Sequence, residues 1–191
     1  AGQISRLGRN FIAGTDAKSA LPKLKKLWQQ GIAFSVDLLG EACLSEVEAD
    51  AYRQRYLDLL QTLPAKAERW PDRPQLENDH LGTIPRSNVS IKISSLSSRI
   101  RIEDFAGSLD RLYESLEPIL SAAARHNVLI NFDMEQSIYK DLTLALFQRC
   151  CESIPFPAGI AMQAYLKSGP EDAERMIRWS RDTGRQVTVR L

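Results

Sequence analysis

Five short segments of this chain end in the same way. They are Ser35-Val36-Asp37, Ser90-Ile91-Lys92, Asn131-Phe132-Asp133, Ala161-Met162-Gln163 and Thr188-Val189-Arg190. Each runs from a small or polar residue through an apolar one to a strongly polar one. Side chains on a strand alternate between faces, so the first and third positions share a face. That face ends in Asp37, Lys92, Asp133, Gln163 and Arg190. The opposite face carries Phe34, Val36, Val89, Ile91, Ile93, Ile130, Phe132, Ile160, Met162, Val187 and Val189, which suits packing beneath helices. A buried, unpaired charge is costly. Five polar ends therefore predict a polar site where parallel strands open at the mouth of a barrel.

The remaining composition narrows the setting. With 25 basic and 24 acidic residues the net charge is +1, which gives no electrostatic footprint for nucleic acid. No apolar run approaches the roughly 20 residues that span a bilayer. The start, Ala1-Gly2-Gln3, has no initiator Met and no signal-peptide pattern, and reads as the edge of a cut or processed chain. Cys43 stands alone, and Cys150 and Cys151 adjoin on a predicted helix. This is neither a disulfide framework nor a zinc pattern, so no metal is expected and a reducing, cytoplasmic setting is. His80 falls in an irregular segment and His126 at a helix end, which gives a Ser-His-Asp mechanism no support.

Periodicity predicts a helix over 18–30 with Leu21, Leu24, Leu27 and Trp28 on one face and Pro22 in its first turn. A strand over 32–37 follows. Ser45-Glu46-Val47-Glu48 reads as a capping box, opening a helix with Tyr52, Tyr56, Leu59, Leu60 and Leu63 inward. Pro71, Pro74, Gly82 and Pro85 make 70–85 an irregular insertion. Strands are predicted over 89–93, 129–133, 159–163 and 187–191. Between them lie a helix from Asp104 with Phe105, Leu109, Leu112 and Leu116 inward, one carrying Leu142, Ala145, Leu146 and Cys150, and one from Pro170 with Ala173, Met176, Ile177 and Ser180 on its stripe. Gly184 closes the last.

Alternating strands and helices imply a parallel sheet with right-handed crossovers. An open doubly wound sheet lacks its Gly-x-Gly-x-x-Gly after the first strand. The expected fold is therefore α/β, a partial (β/α)8 barrel. Residues 1–31 form a helical lead-in and 32–191 the first five strands, with the remaining strands outside this chain.

The run Phe11-Ile12-Ala13-Gly14, the segment Val36-Asp37-Leu38-Leu39-Gly40-Glu41-Ala42, the strand Asn88-Val89-Ser90-Ile91-Lys92-Ile93-Ser94, Asn131-Phe132-Asp133-Met134-Glu135, Gln163-Ala164-Tyr165-Leu166-Lys167 and Val189-Arg190-Leu191 closely resemble proline dehydrogenase, in order and over nearly the whole chain. Ser95-Leu96-Ser97-Ser98 resembles the bifunctional proline utilization A enzymes more than the short monofunctional ones. The resemblance implies a distorted (β/α)8 barrel that oxidises L-proline to 1-pyrroline-5-carboxylate with FAD and passes electrons to membrane quinone. It also implies peripheral contact with the inner membrane face and an aldehyde dehydrogenase domain on the same full-length chain. Carried over by motif, Lys92, Asp133 and Glu41 form the catalytic set, with Lys92 near the substrate carboxylate. Glu41 would pair with a substrate-gripping arginine on the family's eighth helix, which this chain lacks. Asp133, Gln163 and Arg190 would line the flavin.

Each residue also has a plainer reading. Lys92 can pair with a neighbouring strand's carboxylate, Asp133 can neutralise Lys92 or Arg190, and Gln163 can make an ordinary barrel hydrogen bond. Asp37 can cap backbone amides, and Glu135 and Tyr165 can be solvated mouth residues. Two rivals stand beside the family reading: a Schiff-base aldolase with Lys92 as nucleophile and Asp133 assisting, and a non-catalytic barrel fragment.

Overall fold

A computed structural model describes residues 12–40 and 42–191. Helix α1 (Ala17–Gln29) begins one residue before the predicted start. Asp16 and Ser19 cap it reciprocally, and Pro22 falls in the second turn rather than the first. β1 is only Val36–Asp37. The predicted strand from 32 is shortened because Gly31 takes a positive φ and the ladder to the next strand begins at Val36. α2 (Glu46–Ala67) starts at Ser45, whose hydroxyl accepts the Glu48 N–H. The predicted capping box is displaced by one residue: the Glu48 carboxylate takes the N–H of Leu44, 2.7 Å away.

The insertion at 70–85 is more ordered than expected. It holds a one-turn helix α3 (Pro74–Glu77) and a ribbon of β2 (Asn78–Asp79) and β3 (Gly82–Thr83). Arg86 organises it. Its guanidinium meets Glu77 at 2.6 Å and Asp72 at 2.5 Å, and donates to the carbonyls of Ala67 and Trp70. It also lies over the Trp28 ring, whose own N–H donates to Pro71 O at 2.8 Å.

Then come β4 (Ser87–Ile91), α4 (Phe105–Arg125), β5 (Val128–Phe132), α5 (Lys140–Ser153), β6 (Ala158–Ala161), α6 (Gly169–Thr183) and β7 (Val187–Arg190). The main sheet is parallel with order β1-β4-β5-β6-β7. Sheet order follows chain order with no reversal. A doubly wound sheet needs a reversal; a barrel wall does not. Right-handed crossovers then place every crossover helix on one face.

That face is the core. Val89, Ile91, Ile130, Phe132 and Ile160 are fully buried, beneath Leu112, Leu116, Ile119 and Leu120 of α4 and Leu142, Leu146 and Phe147 of α5. Phe132 meets Phe147 edge-on, with centroids 5.3 Å apart. Two predicted inward residues turn out. Phe105, in the first turn of α4, is 36% exposed, and the buried residue there is Ser108. On α6, Ile177 is 50% exposed, while Met176 is buried and Trp179 packs on Phe147. The stripe bends toward the aromatic cluster. Gly184 closes α6 at φ 65°, where a side chain would be strained.

Leu116→Ala in the intact protein should cost about 2–5 kcal/mol, because a fully buried leucine leaves a cavity. Ile177→Ala should stay within about 0.5 kcal/mol. Denaturant midpoints measure both, and equal costs would contradict this layer assignment.

Candidate active site at the strand ends

The inner face of the sheet is polar from within. Ladder register places Asp37, Ser90, Asn131, Gly159 and Thr188 in one row. Ser90 and Asn131 are buried. The Ser35 hydroxyl lies 3.3 Å from that of Ser90 and donates to Asn88 Oδ1 at 3.0 Å. One pleat further along, Ala161 pairs with Arg190, and the same row continues to Asp133 and Lys92, each one residue past its strand's last pair. The five predicted ends therefore share a face but not a level. Asp37 stands one pleat below Lys92, Gln163 stands one pleat above, and the fourth strand contributes Ala161 to the charged row.

Four of the five predicted strand-end residues converge. Lys92 Nζ lies 2.5 Å from Asp37 Oδ1 and 3.4 Å from Asp133 Oδ2. Arg190 Nη2 donates to Asp133 Oδ1 at 2.5 Å, reaching from β7 past β6 to β5. Burial alone would pull the Lys92 pKa down, but the hydrogen bond and charge of Asp37, then those of Asp133, outweigh it and the net direction is up. Lys92 is thus a held cation. A Schiff-base lysine must be free and neutral, so the aldolase chemistry has no support here.

Gln163 does not join this cluster. Its Nε2 donates to the Glu135 backbone carbonyl at 2.9 Å, and its buried Oε1 has no hydrogen-bond partner. Beside it opens a cleft of 210 Å³ with apolar walls from Met134, Leu144, Met162, Ala173 and Leu191. Lys92, Asp133 and Arg190 do not line this cleft. Glu135 is structural rather than solvated: its carboxylate accepts the Ser94 N–H at 3.1 Å and the Ser94 hydroxyl at 2.6 Å. Ser94 O in turn accepts both the N–H and the thiol of Cys43. Tyr165 is 78% exposed. Glu41 lies outside the described residues.

Sequence reasoning placed Asp37 among the polar strand ends but left a backbone cap and a ligand contact as equal readings; in the structure Asp37 is the nearest carboxylate to Lys92. Sequence reasoning also gave Asn131 no role, although Asn131 Nδ2 donates to Asp133 Oδ1 at 2.9 Å. The period-two pattern that selected Asp133 puts Asn131 on the same face, and that was the available signal.

A consecutively wound parallel sheet with a charged cluster at its C-terminal strand ends is the arrangement of a β/α-barrel enzyme. The proline dehydrogenase family profile matches residues 20–191. The bifunctional protein PutA of Escherichia coli K12 is 26% identical over 189 residues, covering 97% of this chain and 14% of that protein. Proline dehydrogenase 1 of Bacillus subtilis strain 168 is 29% identical over 173 residues, covering 90% of this chain and 49% of that one. The crystal structure of proline utilization A from Bdellovibrio bacteriovorus, inactivated by N-propargylglycine, superposes with a TM-score of 0.91 at 37% identity, covering 94% of this chain and 19% of that one. The chain belongs to the proline dehydrogenase family. It spans about half the length of the Bacillus relatives and a much smaller share of the bifunctional ones.

Because the Lys92 pKa is raised, its contribution to stability is fully present below the ordinary lysine value, about 10.4. The contribution is lost as pH rises through the elevated value. Unfolding curves of the intact protein and its Lys92→Met variant should therefore converge at strongly alkaline pH. A stability difference that does not change across that range would show that the pairing does not hold Lys92 charged.

Proposed function

We propose that this chain supplies the wall of a flavin-dependent site that oxidises L-proline to 1-pyrroline-5-carboxylate. The observation that carries this is the pair of unlike strand ends: a fixed cation, Lys92, in one place, and a buried, unpartnered acceptor, Gln163 Oε1, in another. An orphaned buried acceptor calls for a ligand donor, and the ring edge of FAD has an N–H to offer. When bound, the flavin supplies the redox chemistry by accepting the hydride from the ring carbon next to proline's nitrogen.

The chain's own residues bind and orient. Lys92 offers a cation to the proline carboxylate in a charge-assisted contact. Asp37 and Asp133 keep it protonated. Arg190 is half exposed, so its remaining donors are free to favour negative charge on a reduced ring. Asp133 anchors both cations and serves as an ion-pair partner rather than the base. Glu41 is assigned, on the family motif, to pair with a substrate-binding arginine. Proline must lose its amine proton before oxidation, so the rate should rise with pH until the substrate is neutral. In this reading the electrons pass to a quinone, and the protein is cytoplasmic and peripheral at the inner membrane face. The likeness to bifunctional relatives supports an aldehyde dehydrogenase domain on the same full-length chain. Of the expected lead-in over 1–31, residues 1–11 lie outside the described residues; 12–31 serve as lead-in and 32–191 as the first five strands of the barrel.

The test is a visible spectrum of the intact protein. It should be yellow, and anaerobic proline should bleach it; a colourless protein, unchanged by added FAD and proline, would favour the non-catalytic fragment. Lys92→Met should retain flavin and weaken proline by about 1.5–3 kcal/mol, read by titrating the bleaching. Loss of flavin with unchanged proline affinity would move Lys92 to the cofactor side. Arg190→Met should make the flavin harder to reduce, and a midpoint potential at or above wild type would leave Arg190 a purely structural partner of Asp133.

A further inference from the structure

Asn131 lies on β5 two residues before Asp133, on the same inner face, and is 4% exposed. Its amide donates to Asp133 Oδ1 at 2.9 Å, the oxygen that also receives Arg190 at 2.5 Å. Oδ2, the other oxygen, faces Lys92 at 3.4 Å. An ionised carboxylate only accepts, so the amide must turn its NH2 toward Asp133. The terminal torsion of an aspartate is broad and nearly two-fold, so two flanking cations alone do not settle which oxygen serves which. A third donor, fixed on the same strand, does.

The neighbouring strand makes room for this arrangement. β6 presents Gly159 opposite Asn131 and Ala161 opposite Arg190. A Cβ at Gly159 would stand 3.1 Å from Asn131 Oδ1 and 3.3 Å from Leu129 Cδ2. Ala161 has no long side chain to obstruct the reach of Arg190 across β6.

We infer that Asn131 is a positioning residue: it locks the Asp133 carboxylate so that one oxygen holds Arg190 and the other holds Lys92. This rests on the reading above that Arg190 attends the flavin and Lys92 the substrate. Asn131 touches neither ligand and acts only through Asp133.

Two variants of the intact, flavin-loaded protein test it. Asn131→Leu keeps the branching at Cγ and removes the donor. Asn131→Asp keeps the shape and donates only when protonated. The charged groups around this position are Asp133 on its own strand, Lys92 from β4 and Arg190 from β7, with Asp37 of β1 beyond Lys92 and no charge on β6. A second carboxyl beside Asp133 must share a proton with it. With Asn131→Leu, the flavin midpoint potential should fall below wild type at every pH, and bleaching by proline should slow about tenfold, the scale of one charge-assisted hydrogen bond. With Asn131→Asp, the potential should match wild type in acid and approach the Leu variant as the added carboxyl ionises. A structural role alone gives no such crossover. Flavin-free crystal structures provide a second readout: Arg190 should leave Asp133 in the Leu variant. Potentials that track wild type at all pH, or an undisturbed Arg190–Asp133 pair, would overturn the assignment. Should the Leu variant not fold, the isosteric Asp variant carries both measurements. A wild type that binds no flavin sinks the proposed function alone, because the crystal structures still decide for or against Asn131.

Discussion

The Asp133 carboxylate is the constraint on which the site depends. Lys92 and Arg190 are both held by it, and without it two cations would face one another across a half-buried inner face. Across the sheet the charges alternate: negative at Asp37, positive at Lys92, negative at Asp133, none on β6, positive at Arg190. Two cations and two anions make the cluster neutral, so the sheet tolerates it where a single charge would be costly. Neutrality also sets how the cluster can be used. An incoming anion gains from Lys92 or Arg190 only by sharing them with carboxylates already in place.

Much of this was legible because side-chain alternation is a strict rule. The polar inner face and apolar outer face followed from period two alone, and the sheet keeps both. The order of elements followed from the helix and strand patterns. What was not legible was level. Alternation says which face a residue occupies but not how far along the barrel axis it stands, and that depends on the stagger between strands. Asp37 and Gln163 therefore looked equivalent to Lys92 and Asp133, although they stand one pleat to either side. Strand lengths failed for a related reason: β1 lies at an edge and pairs only over Val36–Asp37, a limit set by its partner and not by its own sequence. The turned-out Phe105 and Ile177 reflect packing direction, which a helical wheel averages away. The order in the insertion came from Arg86, whose partners are spread from Ala67 to Glu77 and have no common sequence signature.

The two ends of the sheet divide their labour. Arg86 directly precedes β4, and with Trp28 and Trp70 it seals the end where the strands begin. Its contacts are the carboxylates of Asp72 and Glu77, backbone carbonyls and the Trp28 face, all spent on holding this end of the wall together. The charged row occupies the other end, where strands stop and loops begin. Residues at the first end govern whether the wall forms, and those at the second govern what it does.

Glu135 ties three of those strand ends together. Its carboxylate secures the turn after β4 through Ser94, its backbone follows β5, and its carbonyl fixes the amide of Gln163 after β6. Glutamine is ordinarily among the side chains with the most rotamer freedom to lose. Here that freedom is lost during folding, before any ligand arrives. A partner that meets Gln163 Oε1 encounters an acceptor already aimed, so recognition at this edge of the site carries little ordering entropy and favours ligands whose donor fits the existing direction.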